Sequence, residues 1–110
     1  MSSSLSSLST RDIATRGRPL LALPIGSCEQ HGPHLPLDTD TRIAMALCAR
    51  LATANNILIA PAIAIAASGE HDGFAGTLSI GTSALTTVIV EVVRSASWAT
   101  GVVLVNSHGG

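Results

Sequence analysis

After a polar leader, short unbroken apolar runs alternate with longer segments whose apolar positions recur three and four residues apart. Leu20-Leu21-Ala22-Leu23-Pro24-Ile25 stops at Gly26-Ser27, the pattern of a strand covered on both faces. Pro24 has no N–H to donate, which predicts a sheet edge or a strand end there. From Thr39 onward Ile43, Leu47, Leu51 and Ala54 recur at helical spacing with Arg42, Arg50 and Thr53 on the other side, and Asp38 or Thr39 stands where a cap is needed. Ile57-Leu58-Ile59-Ala60 and Ala62-Ile63-Ala64-Ile65, broken by Pro61 and ended by Ser68-Gly69, predict a bent second strand. Gly81-Thr82-Ser83 opens a second helix with Leu85, Val88, Ile89, Val92, Val93 and Ala96 on one face, and Gly101 stops it. Val102-Val103-Leu104-Val105 reads as a third buried strand leading into Asn106-Ser107-His108-Gly109-Gly110.

Strand, loop, helix, repeated, is the order of right-handed crossovers on a parallel sheet, so the fold class is α/β. The loops that follow the strands then share one edge of the sheet, where open α/β sheets bind ligands. All four histidines, His31, His34, His71 and His108, fall in these loops, together with Glu29, Asp38, Asp40, Glu70 and Asp72.

Composition narrows the function. Sixteen of the 110 residues are Ala and the only aromatics are Phe74 and Trp98, so the core is thin for its length. The net charge of −1 comes with six Arg and no Lys, which argues against a nucleic-acid partner and removes Schiff-base chemistry. Cys28 and Cys48 are too few for a disulfide scaffold, so a reducing, cytoplasmic setting is expected. No apolar stretch approaches the ~18–20 residues of a membrane helix; Asn55, Asn56, Glu91 and Arg94 interrupt the candidates. The Ser-rich start, with Arg11, Arg16 and Arg18, lacks the apolar run of a secretory signal, and residues 1–18 are expected to form a mobile arm.

In the first loop, Glu29 and His31 stand two apart and point the same way in extended backbone, and Asp40 at the start of the next helix can return to them. Carboxylates and imidazoles in one concavity suit Zn, Mn or Fe as divalent ions, with His108 added by the third loop. Crowding these ionisable groups costs free energy unless something offsets their desolvation, which favours a metal for Glu29, His31, Asp40 and His108 over a set of turns and caps. Asp38 and His34 are read instead as a helix cap and a loop-backbone partner. Glu70 and His71 are open between a solvated turn and a role in holding substrate, orienting a ligand or moving a proton. Cys28 has no positive neighbour in sequence to activate it and is read as structural. Dinucleotide, phosphate-loop and nucleophile-elbow patterns are missing around Gly26, Ser27 and Asn106.

Pro24 through Asp40, read as Pro-Ile-Gly-Ser-Cys-Glu-Gln-His-Gly-Pro-His-Leu-Pro-Leu-Asp-Thr-Asp, closely resembles the creatininase family of metal-dependent amidohydrolases. Ser68-Gly69-Glu70-His71 with Gly73-Phe74-Ala75-Gly76-Thr77, and Asn106-Ser107-His108-Gly109-Gly110, match in the same order. Within the family, the run from Ala67 to Gly81 is most similar to members that trim a modified ribosomal peptide during cofactor biosynthesis.

The resemblance implies a three-layer α/β/α sandwich with a mostly parallel central sheet, of which residues 19–110 form an amino-terminal portion. It implies one or two divalent ions, with Glu29, Asp40 and His108 on one and His31 on a second that Asp40 bridges. Ser68, Glu70, His71 and Asn106 would contact substrate or support the ligands. The reaction implied is hydrolysis of a C–N bond in a peptide or small amide, by a homo-oligomer. Creatininase itself carries a further Glu two residues after the last His, where this chain has Gly110, so another carboxylate is expected from outside this segment. Ser107 stands where the family pattern has Gly. The competing expectation is a truncated, catalytically inactive homologue that serves as a subunit or interaction fragment.

Overall fold

A computed structural model describes residues 3–53 and 56–110. The elements run α1 (Thr10–Ala14), β1 (Leu20–Ile25), α2 (Thr39–Ala52), β2 (Ile57–Ile59), α3 (Gly81–Ser95) and β3 (Gly101–Asn106). Single 3-10 turns lie at Leu5–Ser7 and Gly69–His71. The three strands form one parallel sheet in the order β2-β1-β3, with Leu20 opposite Ile57 on one side and Gly101 on the other.

β1 is thus the central strand, and Pro24 pairs with Val105 inside the ladder rather than at a sheet edge. The missing N–H is tolerated because β1–β2 pairing has already ended at Ala22 and Ile59. Beyond that point the Pro24 carbonyl accepts from the Ile63 N–H of an irregular segment. The second strand is correspondingly shorter than its apolar run: only Ile57–Ile59 pairs regularly, and Ile63 returns as an isolated bridge to Ile25.

The alternation of β1 separates two packing layers. Leu21, Leu23 and Ile25 face a cluster with Leu58, Ala60, Ala96 and Ala99, against which Ile89, Val92 and Trp98 of the α3 side pack. Ala22 faces Cys48 of α2 and Ile57 on the opposite side. With a helix layer on each face and the strand order reversing at β1, the crevice at the carboxyl ends of β1 and β3 is the switch point of the sheet.

Both helices sit rotated from the apolar stripes that periodicity selects. The buried seam of α2 is Asp40, Thr41, Ala44 and Cys48, whereas Ile43, Leu47 and Leu51 are exposed. Ala54 lies outside the described residues. Small side chains on the seam let α2 approach closely; a Cβ on Gly26 would collide with Thr41, backbone included. In α3, Leu85, Ile89 and Val92 are half-buried, Ala96 just beyond the helix is buried, and Val88 and Val93 are exposed.

The leading segment, expected as an arm, lies on the domain: Leu5, Leu8 and Ile13 pack against the first cluster, and the Ser3 carbonyl accepts from the Ile59 N–H at 2.7 Å along the outer edge of β2. Ser9 and Asp12 form a reciprocal capping box that starts α1. No helix among the described residues is long and apolar enough to cross a membrane.

Candidate metal centre

Parallel pairing carries the ends of the three strands to one edge, and each strand delivers a loop there. The loop after β1 brings Glu29 and His31, the segment after β2 brings Ser68, Glu70 and His71, and the end of β3 with the residues after it brings Asn106 and His108. Asp40 enters from the first turn of α2. Glu29, Asp40 and His108 are buried, at 3%, 8% and 9% exposure. Three ionisable groups at that depth must satisfy one another or a ligand.

Asp40 is the most heavily supported. Its Oδ1 accepts from His31 Nε2 at 2.9 Å, and its Oδ2 accepts from Ser27 Oγ at 2.7 Å and faces His108 Nδ1 at 3.2 Å. Burial works to raise its pKa, but the Ser27 and His31 hydrogen bonds and the charges of His31 and His108 outweigh this and leave the carboxyl below its usual range. Desolvation works against charging His31, yet bonds to the Glu29 carbonyl, at 3.1 Å from Nδ1, and to Asp40 raise its pKa above the ordinary imidazole value. An imidazole anchored through Nδ1–H to a carbonyl, with Nε2 aimed at a carboxylate, has the orientation of a metal-ligating histidine.

Glu29 is held from the second loop. Its Oε1 accepts from Ser68 Oγ at 2.8 Å and lies 3.2 Å from His108 Nε2, and its Oε2 accepts from His71 Nε2. His108 Nε2 also reaches the Ala67 carbonyl at 2.8 Å. Among the described residues, two sets of donor atoms converge within 4.8 Å: Glu29, His31 and Asp40, and Glu29, Glu70 and His108. Glu29 is common to both. Oxygen and imidazole donors in this number match Zn, Mn or Fe as divalent ions.

The residues singled out as ligands therefore share one place, and Ser68, His71 and Asn106 touch them; Asn106 Oδ1 accepts from the His108 backbone N–H at 2.9 Å. His34 and Asp38 stay exposed, Asp38 pairing with Arg42 at 2.8 Å without a side-chain cap bond. Cys28 donates weakly to the Gly76 carbonyl and lies apart from the cluster. Three supports escaped the motif reading. Ser27 and Ser107 fasten Asp40 from both sides, through its carboxylate and its carbonyl, and Gln30 Nε2 lies 3.1 Å from His71 Nδ1. Ser27 and Gln30 show in sequence only as polar neighbours of ligands, and Ser107 only as a departure from the family's Gly.

The family model Creatininase, described as creatinine amidohydrolase, matches residues 6–110. The chain is 58% identical over 104 residues to the mycofactocin precursor peptide peptidase of Mycobacterium tuberculosis (strain CDC 1551 / Oshkosh), with 84% of this chain and 41% of the relative covered. It is 52% identical over 99 residues to the protein of the same name in Mycolicibacterium smegmatis, covering 84% and 40%. A solved structure titled Creatininase Mn superposes with a TM-score of 0.90 at 29% identity, covering 98% of this chain and 46% of that one. The chain thus spans about two-fifths of the length of the curated relatives it matches.

Proposed function

The chain belongs to the creatininase family and has a creatininase-like fold, and from that premise we propose that the protein hydrolyses a C–N bond, trimming a precursor peptide of the mycofactocin type. The observation that carries the proposal is the convergence of Glu29, His31 and Asp40 within 4.8 Å, with buried His108 on the far side of Asp40. In this reading Glu29, His31, Asp40 and His108 hold one or two divalent ions, Zn, Mn or Fe. A bound divalent ion supplies a water acidified toward neutrality and polarises the carbonyl under attack.

The chain's own residues prepare the site for that chemistry. Asp40 turns one oxygen to His31 and the other to Ser27 and His108, so a single carboxylate addresses both sides of the pocket. Ser27 and Ser68, each fully buried, donate to Asp40 and Glu29 and fix the two carboxylates before any ligand arrives. His71, half-buried, joins the Glu29 carboxylate to the outer part of the pocket, where it can hand a proton toward a leaving nitrogen. Assembly into a homo-oligomer, which rests on the resemblance, and a cytoplasmic location, which rests on the two unpaired cysteines, belong to the same proposal.

The test is hydrolysis of a synthetic peptide carrying the carboxyl-terminal end of a mycofactocin precursor. Cleavage abolished by a chelator and restored by Zn, Mn or Fe salts is expected; cleavage indifferent to the chelator contradicts the metal role, and no cleavage with metal bound contradicts the substrate.

A further inference from the structure

We propose that Glu70 is a metal ligand, closing a cation position with Glu29 and His108, and that residue 110 is glycine because the Glu70 carboxylate occupies the space a side chain there would take. The inference rests on the metal reading above and names a ligand that the first-loop motif does not contain.

Glu70 sits in the 3-10 turn Gly69–His71, flanked by Ser68 and His71, both of which point into the pocket. Ser68 and His71 bond the two oxygens of Glu29, and between them Glu70 Oε1 reaches to 3.8 Å from His108 Nε2. The same His108 nitrogen lies 3.2 Å from Glu29 Oε1. Two carboxylates therefore converge on one imidazole edge, with donor atoms from all three residues inside 4.8 Å of one another. The single His108 Nε2 faces the Ala67 carbonyl and both carboxylates and has at most one hydrogen to share among these three acceptors, so the two carboxylates are left facing each other. A divalent ion between them relieves that repulsion and uses all three donors.

Gly110 gives a second, independent observation. A Cβ built on it would collide with Glu70 Oε1 and with the ring of His108. Gly109 beside it has open space. A side chain at 110 would therefore have to move the Glu70 carboxylate away from His108, whereas one at 109 would not. The turn after β2 supplies, from within this segment, the carboxylate that the resemblance leads one to seek beyond it. Glu70 is also half exposed, so a cation held there stays open to water and substrate on one side.

The experiment is calorimetric titration of the metal-free protein with Zn²⁺ and separately with Mn²⁺, together with metal counting after desalting. It compares the parent with Glu70→Gln, Glu70→Asp, Gly110→Ala and Gly109→Ala. Glu70→Gln is expected to lose one bound ion, or to weaken binding by more than the ~10–100-fold typical of removing an outer-shell partner. Glu70→Asp should weaken it less, Gly110→Ala should reproduce the loss although it removes no donor atom, and Gly109→Ala should bind as the parent does. Matching circular dichroism of the metal-free variants separates ligand loss from misfolding. Equal ion count and affinity in parent and Glu70→Gln overturns this inference and leaves the metal reading standing; a parent that binds no ion overturns both.

Discussion

His31 donates through Nε2 to Asp40 Oδ1 at 2.9 Å while its Nδ1 donates to the Glu29 carbonyl, so both ring nitrogens face acceptors. The pair stabilises the metal-free protein through two opposite titrations. His31 has its pKa raised above 6.5, so its contribution is full below that value and is lost as pH rises through the raised one. Asp40 has its pKa lowered below 3.8, so its contribution is full above 3.8 and is lost as pH falls through the lowered value. Thermal melts of metal-free protein are expected to peak between these limits. The alkaline decline should flatten in His31→Gln and the acid decline in Asp40→Asn; unchanged limbs in both variants contradict the pairing.

Ser27 is fully buried and donates to Asp40 at 2.7 Å. Ser27→Ala leaves a buried carboxylate short of one donor, which costs about 1–3 kcal/mol. Chemical denaturation of metal-free protein should register that loss, and metal affinity should fall by ~10–100-fold because an oriented ligand has lost its support.

Gln30 makes a testable chain. Its Oε1 accepts from the Gly32 N–H at 2.8 Å and its Nε2 donates to His71 Nδ1, which leaves the His71 proton on Nε2 to donate to Glu29. Long-range proton–nitrogen NMR of the ring should show the Nε2–H form in the parent and a mixture of tautomers in Gln30→Ala. A single unchanged tautomer in the variant contradicts the chain.

Gly26 meets Thr41 so closely that a Cβ would collide with its backbone. Gly26→Ala is therefore expected to yield no soluble folded protein, whereas Gly109→Ala, with open space around it, should melt within about 2 °C of the parent, consistent with the small effect of surface changes. Comparable melting of the two variants removes the argument that α2 and the first loop are locked by close approach.

The sequence pattern was informative about the order of elements and about the edge at which chemistry gathers. The apolar runs that stop at Gly26 and at Asn106 mark the ends of β1 and β3, and Glu29 and His108 follow those two ends closely, whereas β2 stops at Ile59, well short of Glu70. Rotation of the helices was not legible. Periodicity selects the largest side chains, Ile43, Leu47 and Leu51, but α2 packs through Ala44 and Cys48, because only small residues admit the approach that seats Asp40 beside Ser27. Pro24 stands next to the end of β1, as one of its two expected placements has it, but on the central strand and not at a sheet edge, because the segment beyond β2 asks only for the Pro24 carbonyl. Glu29, His31, Asp40 and His108 were marked as a set by residue type and spacing. The serines that fasten Asp40 and Glu29 were harder to see, since a hydroxyl in a loop signals a turn as readily as a support.

The central claim is that loops following three parallel strands build a seat for a divalent cation around Asp40. Its most direct test is the metal content of protein purified without chelator, measured by plasma mass spectrometry beside an Asp40→Ala variant prepared identically. A divalent ion in the parent at one or more per chain, reduced in the variant, is the predicted result; a parent containing no more than Asp40→Ala contradicts it.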